Sequence, residues 1–422
     1  MNDASLEIRG VSALLNNQVA KRVNIFIENG KISEINKKVH EADRIIDLHD
    51  RNIIAIPGLI NTHTHIAMGP LRGAVDAVNL GRFLELTGEY DKENDKRTIY
   101  DSTVIGIAEM IKNGITDFVD FYYGEDIVAS AVEAMHYQGH LGWAVLDKDK
   151  TTQKGDPLSN AERFLKTGKS SRVTPMVAVQ GVYAASKDTI SSAYDIAEKH
   201  SAELTMHIAE TDYEVVEHKK RFGKRPVEWM HANGLVRKNL LAVHCVWLNS
   251  KEISIISKMA GAVSYNPTSN MKLGSGIAPI YNLVKDNALV TLGTDSTASN
   301  NSLDILAEMK YGAILQSAKY LNPEAITPEQ AFAFATYNAS SFLHGKPNTL
   351  STGSKADITL VETNLMPMEK ALNNIVYATN PSNVFGTVVA GEVLYINGKL
   401  QARLEDELVK AKKSIARIKH KL

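Results

Sequence analysis

The chain has 422 residues, of which 44% are hydrophobic and 23% are charged, and its 47 basic and 48 acidic side chains nearly cancel. This composition is typical of a folded protein with one large domain and a smaller one, and it argues against a disordered chain. The balanced charge gives no reason to expect a nucleic acid as a partner.

The start of the chain and its cysteine content indicate a compartment. The opening segment, MNDASLEIRG, lacks a basic stretch followed by an apolar one, and no apolar run approaches the roughly 20 residues that a bilayer span needs. The single cysteine, Cys245, excludes an internal disulfide framework and fits a reducing compartment. We therefore predict a cytoplasmic protein that does not interact with a membrane.

Both ends of the chain have the pattern of β-strands. In residues 1–57, apolar and polar residues alternate on either side of Asn29-Gly30, a favoured type I′ hairpin turn. A similar pattern, with Asn397-Gly398 as its turn, returns in residues 352–422, where a basic helical pattern follows it. We predict that these two segments form one small β-sandwich domain with a C-terminal helix; two unrelated hairpins are the alternative.

Residues 58–351 alternate short apolar runs with helical patterns, which is typical of βαβ units around a parallel sheet. Eight repeats in about 290 residues predict a (β/α)8 TIM barrel. A doubly wound open sheet is the alternative, but no Gly-rich phosphate turn follows the first strand. The eight predicted strands are 55–65, 114–123, 140–147, 173–183, 202–210, 239–248, 261–267 and 288–296.

Four of these buried strands end in imidazole or carboxyl side chains, which need an explanation at such positions. In a barrel, the carboxyl ends of all strands meet on one face, where catalytic loops lie, so that residues distant in sequence converge. The six strand-end residues are His63 and His65 on the first strand, His207 and Glu210 on the fifth, His244 on the sixth and Asp295 on the eighth.

The chemistry of this set favours a metal site. Residues at i and i+2 of a strand point to the same side, so His63 and His65 can both face the barrel axis. With His207 and Asp295 they offer three imidazole nitrogens and one carboxylate oxygen, which suits a divalent ion such as zinc with one position left for water. Any one of these residues alone is more simply a polar residue with ordinary partners; the set as a whole predicts the site.

Several long segments resemble the metal-dependent amidohydrolase superfamily, and the resemblance covers almost the whole chain. In order, the matching segments are PGLINTHTH, HIAE, VHCVWL, SYNPTSNMKLGSGIAP and LGTDSTASNNSLD. The last two are similar to the branch of methylthioadenosine/S-adenosylhomocysteine deaminases and chlorohydrolase-like (triazine hydrolase-like) proteins.

This resemblance implies a role for each residue of the set. The implied metal ligands are His63, His65, His207 and Asp295. Glu210 would be the proton shuttle, His244 would hydrogen-bond the attacking water or the reaction centre, and Asp295 would also accept a proton. Binuclear members use a lysine or an acid from the fourth strand, which here offers neither, so one divalent ion is expected: zinc, with iron or manganese as alternatives.

The implied reaction is the hydrolytic deamination of an aminopurine-type ring or nucleoside, with a metal-activated water and release of ammonia. One alternative is a hydrolase that displaces chloride or another leaving group from a triazine-like ring. Another is a catalytically inactive relative that acts by binding. The expected partner is a small heterocyclic substrate, and a homodimer is expected because dimers are common.

Three residues are candidates for substrate binding. Gln180 follows the fourth strand, where relatives in this branch show a histidine, and its amide can both donate to and accept from a heterocycle. Arg72 could bind a substrate anion, although surface pairing is the commoner role. Asn266 could line the pocket, although as a turn residue it needs no function. Cys245, next to His244, is expected to pack in the core.

Overall fold

The computed structural model describes residues 4–15, 17–362 and 370–418, and its strands form two separate sheets. Strands from both ends of the chain form one mixed sheet: β1 (Leu6–Leu15), β2 (Gln18–Glu28), β3 (Lys31–Asn36), β4 (Arg44–Asp47), β5 (Ile53–Pro57), β14 (Ile358–Glu362), β15 (Val384–Val389), β16 (Glu392–Ile396) and β17 (Lys399–Leu400). The central strands form the other: β6 (Leu59–Thr64), β7 (Ile115–Tyr122), β8 (Gly139–Val145), β9 (Val173–Val179), β10 (Leu204–Ile208), β11 (Leu240–His244), β12 (Ala262–Tyr265) and β13 (Val290–Leu292).

The helices alternate with the central strands and then complete the C-terminal part. They are α1 (Leu80–Glu93), α2 (Lys96–Lys112), α3 (Glu125–Ala134), α4 (Pro157–Thr167), α5 (Lys187–Lys199), α6 (Asp212–Phe222), α7 (Pro226–Ala232), α8 (Ser250–Met259), α9 (Pro267–Lys272), α10 (Ile280–Lys285), α11 (Thr297–Asn300), α12 (Ile305–Tyr320), α13 (Pro328–Ala335), α14 (Tyr337–His344), α15 (Ala371–Tyr377) and α16 (Ala402–Ile418). Among the described residues, none of these helices is both long and apolar enough to cross a bilayer.

The central sheet confirms the predicted barrel. Its eight strands run in sequence order from β6 to β13, and all of its strand pairs are parallel. The last strand returns to the first, because the N–H of Asp295 donates to the carbonyl of His63 over 2.9 Å. The carboxyl ends of the strands therefore face one side of the barrel, as a TIM barrel requires.

The terminal segments pair within one mixed sheet, as the prediction of a single small domain requires. β5 bridges the two ends of the chain, since it lies between β1 and β14. The chain then crosses to the barrel at Gly58, between β5 and β6. The predicted helix at the C-terminus is α16, which buries Leu404 and Leu408 against α2, and the residues after 418 lie outside the described part.

Both predicted Asn-Gly turns are present. Asn29-Gly30 and Asn397-Gly398 have positive φ at both residues, as a type I′ turn demands, and each joins two antiparallel strands. Gly30 also has a packing role: a Cβ there would lie 2.8 Å from the carbonyl oxygen of Ala390, whereas a Cβ at Gly398 would meet no atom within 4 Å. The N-terminal hairpin therefore approaches the turn between β15 and β16 closely.

This contrast gives a test of the contact between the two ends of the chain. In both Gly30→Ala and Gly398→Ala the alanine must adopt a left-handed conformation, which costs free energy. Only in Gly30→Ala does the new Cβ also press against a backbone oxygen. We expect Gly30→Ala to destabilise the protein by about 1 to 2 kcal/mol more than Gly398→Ala does. Urea denaturation of the two variants measures the difference; equal midpoints would contradict the close approach.

Candidate active site

The structure brings the six predicted strand-end residues together at one face of the barrel. The ring centroid of His63 lies 4.8 Å from that of His65 and 5.1 Å from that of His207. All six are buried apart from His65, whose side chain is 12% exposed. They are His63 at the end of β6, His65 just after it, His207 on β10, Glu210 just after β10, His244 at the end of β11 and Asp295 just after β13.

His63 points to a bound cation. Both of its ring nitrogens are buried, and neither has a hydrogen-bond partner among the described residues. An imidazole buried in this way loses its water without compensation, unless a ligand binds it. Oδ1 of Asp295 lies 3.7 Å from Nε2 of His63 and 3.5 Å from Nε2 of His65, so a carboxylate faces both rings.

Backbone carbonyls orient two of the other rings for the same ion. Nδ1 of His65 donates to the carbonyl of Phe121 over 2.5 Å, and Nδ1 of His207 donates to the carbonyl of Gln180 over 3.0 Å. Each bond fixes the tautomer in which Nε2 carries the free lone pair, which is the arrangement usual for a metal-binding histidine. His63, His65 and Asp295 form one group of donor atoms within 4.8 Å of one another, and His63 and His207 belong to a second. Three imidazoles and one carboxylate of this kind fit one divalent ion of the zinc class.

His244 is oriented in the opposite sense. Its Nδ1 accepts from the side-chain amides of Asn266, over 3.2 Å, and Asn270, over 3.0 Å. The ring proton therefore sits on Nε2, which lies 3.7 Å from Oε2 of Glu210. Although its ring lies close enough to His63 and His207 to join a metal cluster, this tautomer presents a donor to the cavity, which suits a hydrogen bond to water or substrate.

Burial and neighbouring charges separate the two carboxyl groups. Burial, reinforced by Asp295 and Glu214, raises the pKa of Glu210 well above its ordinary value. Burial also acts to raise the pKa of Asp295, but His65, His244 and a 2.7 Å hydrogen bond from Ser269 outweigh it and lower the pKa. The site therefore places a carboxyl group of raised pKa beside one of lowered pKa, an arrangement that suits acid and base roles.

The same environment favours the neutral form of His63 and His244. Burial, together with the charges of His65 and His207, lowers the pKa of His63 well below its ordinary value. Burial likewise lowers the pKa of His244, although Asp295 opposes the shift. A neutral imidazole is the form that binds a metal ion, so no proton has to be expelled at neutral pH.

A buried carboxylate that the sequence analysis missed holds Glu210 in place. Glu214, in the first turn of α6, accepts from the N–H of Ala209 over 3.0 Å and from the N–H of Glu210 over 2.9 Å. Ala209 is left-handed, with φ +48°, a conformation that costs free energy in a residue other than glycine. The two hydrogen bonds that Glu214 accepts stabilise this turn and thereby direct the Glu210 side chain into the site.

Left-handed residues recur at the other strand ends of the site. His244 has φ +72° and Asp295 has φ +63°. Such conformations persist only where the surroundings impose them, and they concentrate at functional sites. Close packing of this kind is also visible at Gly293, where a Cβ would lie 2.8 Å from the Cβ of His63.

Five of the six residues, all except His63, line a cavity of about 360 Å³. Gln180 lines this cavity, and its Nε2 donates to the hydroxyl of Tyr183 over 3.0 Å. Leu80, Leu84, Tyr183 and Leu273 also border a second cavity of about 740 Å³, which lies on the outer side of the site. A ligand larger than one ring can therefore extend from the first cavity into the second.

Two predicted substrate residues do not line the cavity. The guanidinium of Arg72 pairs with Glu109 on α2, so the surface pairing is the role that the structure gives it. Asn266 is fully buried beneath the site, where its amide donates to His244 and its oxygen accepts from Ser264. Asn266 therefore orients a catalytic candidate instead of facing the ligand.

Cys245 packs in the core, as predicted, and burial raises the pKa of its thiol.

The bond network around Glu214 can be tested by its contribution to stability. Glu214→Ala leaves two buried N–H groups without a partner, so we expect a loss of about 2 kcal/mol in the free energy of unfolding. Glu217→Ala, on the same helix but 46% exposed, is the matched control and should change stability by less than about 0.5 kcal/mol. Chemical denaturation followed by circular dichroism measures both, and an equal effect would argue against the network.

The chain matches the amidohydrolase family model over residues 54–394. It is 34% identical over 414 residues to a 5-methylthioadenosine/S-adenosylhomocysteine deaminase of Caldicellulosiruptor saccharolyticus, covering 95% of each chain. It is 32% identical over 398 residues to a 5'-deoxyadenosine deaminase of Methanosphaera stadtmanae, covering 92% of this chain and 93% of that protein.

A solved structure extends the likeness to the whole fold. An adenosine deaminase of Xanthomonas campestris with bound zinc superposes with a TM-score of 0.90 over 98% of both chains, at 24% sequence identity. At this identity the superposition supports the fold alone. The family model and the two relatives carry the assignment, because they extend over both the barrel and most of the small sheet. The chain therefore belongs to the amidohydrolase family.

Proposed function

We propose that this protein is a hydrolytic deaminase of an adenosine derivative, which it converts with water to the corresponding oxo compound and ammonia. The observation that carries the proposal is the pair Glu210 and Asp295, two carboxyl groups of opposite pKa shift, in one buried site with His244. The names of the two relatives, each at least 32% identical, support an adenosine derivative as substrate. The adjoining cavity of about 740 Å³ offers room for the sugar and its 5′ substituent.

His63, His65, His207 and Asp295 would hold one divalent ion, and we propose zinc because three imidazoles and one carboxylate suit it. When bound, such an ion lowers the pKa of a water molecule and places positive charge beside the reacting carbon. Because Nδ1 of both His65 and His207 is committed to a backbone carbonyl, these rings would meet the ion without losing orientation.

The proton transfers fall to the chain's own residues. Asp295 accepts the proton of the attacking water as the oxygen bonds to the carbon that bears the amino group. Glu210 donates its proton to the neighbouring ring nitrogen, and Nε2–H of His244 stabilises the developing negative charge on oxygen. Asp295 then passes its proton to the amino group, and the carbon–nitrogen bond breaks to release ammonia. The remaining hydroxyl proton returns to Glu210 as the ring takes its oxo form.

The cavity also offers residues for orienting the substrate. Gln180 presents an amide that can donate to and accept from a heterocycle, while Phe83 and Lys150 line the same cavity. Gln180 donates one of its two amide hydrogens to Tyr183, so the second hydrogen and the oxygen are left for the ligand. The cytoplasmic location and the homodimer stay predictions of the sequence.

Ammonia release tests the reaction directly. We expect the purified protein to release ammonia from 5′-deoxyadenosine, methylthioadenosine or S-adenosylhomocysteine, measured with a coupled glutamate dehydrogenase assay. Guanine, aminotriazines and a chlorotriazine complete the panel, and chloride release from the last separates deamination from displacement of a halide. Chloride without ammonia, or turnover of none of these compounds, would overturn the proposal.

Glu210→Gln tests the proton shuttle. The amide keeps the size of the side chain but has no proton to transfer, so we expect kcat to fall about 10²- to 10⁴-fold while metal content stays unchanged. Glu198→Gln on α5 serves as control and should keep full activity, since this residue pairs with Arg237 at the surface and lines neither cavity. Loss of metal from the Glu210→Gln variant, or an undiminished kcat, would show that Glu210 has a different role.

A further inference from the structure

A second group of metal-ligating side chains lies at the opposite end of the barrel. Asp117 stands near the start of β7, His140 near the start of β8, and His344 is the last residue of α14. The active-site residues lie at the carboxyl ends of the strands, so this group is separated from them by the length of the barrel. None of the three enters the proposed reaction.

The three side chains converge on one point. Oδ2 of Asp117 lies 3.0 Å from Nε2 of His344 and 3.3 Å from Nε2 of His140, and all three donor atoms lie within 4.8 Å of one another. Tetrahedral zinc with bonds of about 2.0 to 2.1 Å places its donor atoms about 3.3 Å apart. The distances to Asp117 thus already match those that a bound ion would impose.

Burial makes the group more than a surface cluster. Asp117 is 2% exposed and the His140 side chain 5% exposed, whereas the His344 side chain is 32% exposed. Asp117 uses its other oxygen to accept from the N–H of Phe118 over 2.8 Å, which leaves Oδ2 directed at the two rings. Two ligands would therefore be fixed within the barrel, and the third would come from a helix end at its surface.

His344 also borders a cavity of about 860 Å³ between the barrel and the small sheet, through which an ion and water can reach the group. Both basic and acidic side chains line the same cavity, among them Lys31, Lys355, Asp357 and Glu392. Water from this cavity can occupy the fourth coordination position.

We infer that Asp117, His140 and His344 form a second site for a divalent ion of the zinc class, independent of the active site. Two histidines and one carboxylate leave one coordination position open, which the cavity can fill. Because the ligands come from β7, β8 and α14, the bound ion would tie the last barrel helix to the amino-terminal ends of two strands. Its role would be to stabilise the folded chain, since ion binding favours the native state.

Zinc stoichiometry of the full-length protein tests this inference. After removal of metal with a chelator, equilibrium dialysis against zinc and elemental analysis should give about two equivalents for the unaltered protein and about one for His344→Ala. His136→Ala is the matched control, because His136 lines the same cavity at 33% side-chain exposure but lies outside the group. It should keep about two equivalents. One equivalent in the unaltered protein, or two in His344→Ala, would overturn the inference.

A cobalt spectrum keeps the test independent of the active site and of the folding of any one variant. The double variant His63→Ala/His65→Ala lacks two proposed active-site ligands, so cobalt bound to it should give the visible absorption of a tetrahedral site. Adding His344→Asn, which keeps a polar side chain at the helix end, should abolish that absorption. The inference is wrong if the double variant shows no such band or if the band survives His344→Asn. Because the readout is metal binding, failure here leaves the proposed deaminase activity untouched, and a missing activity leaves this site untouched.

Discussion

The candidate active site depends on the burial of several imidazole and carboxyl groups at the carboxyl-terminal face of the barrel. His63 is the clearest case, since both of its ring nitrogens are buried without a partner among the described residues. Burying polar groups in this way costs free energy that only a ligand can offset. The surrounding hydrogen bonds to Phe121, Gln180 and Ser269 then act to present the remaining donors to the same point.

The backbone shows where that arrangement is imposed on the chain. Ala209, His244 and Asp295 are all left-handed, and each follows or ends a strand whose side chains reach the site. Ideal strand geometry would continue each chain outward, so these residues turn the following loop back across the barrel mouth. Glu214 holds one such turn through two N–H groups, and Asp295 closes another by donating its N–H to His63. Packing and hydrogen bonds elsewhere offset the strain.

The two ends of the barrel carry different groups of polar residues, one suited to catalysis and the other to stabilising the fold. The carboxyl-terminal face carries the candidate catalytic groups, whereas the amino-terminal face carries Asp117, His140 and His344 beside the small sheet. The small sheet contacts the barrel directly, for example where the hydroxyl of Thr359 on β14 donates to the carbonyl of Gly114, just before β7. Functional changes can therefore accumulate in the loops of one face while the other face maintains the fold.

The sequence by itself determined the barrel, the two Asn-Gly turns and the six strand-end residues of the site. These features are local: strand periodicity, turn chemistry and position at a strand end are all written in neighbouring residues. It assigned no role to Glu214 and did not foresee the turn at Ala390-Gly391, where alanine adopts a left-handed conformation that its sequence does not indicate. It also placed Arg72 and Asn266 with the substrate, although their partners prove to be Glu109 and His244.

Only the tertiary structure decided which partner each of these side chains meets. The tautomer of His244 depends on amides that lie 22 and 26 residues further along the chain. The cluster at the other barrel end joins Asp117 to His344, which is 227 residues away. Such contacts come from the closure of the barrel, which sets distant segments side by side in a way that local pattern does not encode. Sequence pattern thus specified the elements and their polar ends, and barrel closure decided the hydrogen bonds that give those ends their chemistry.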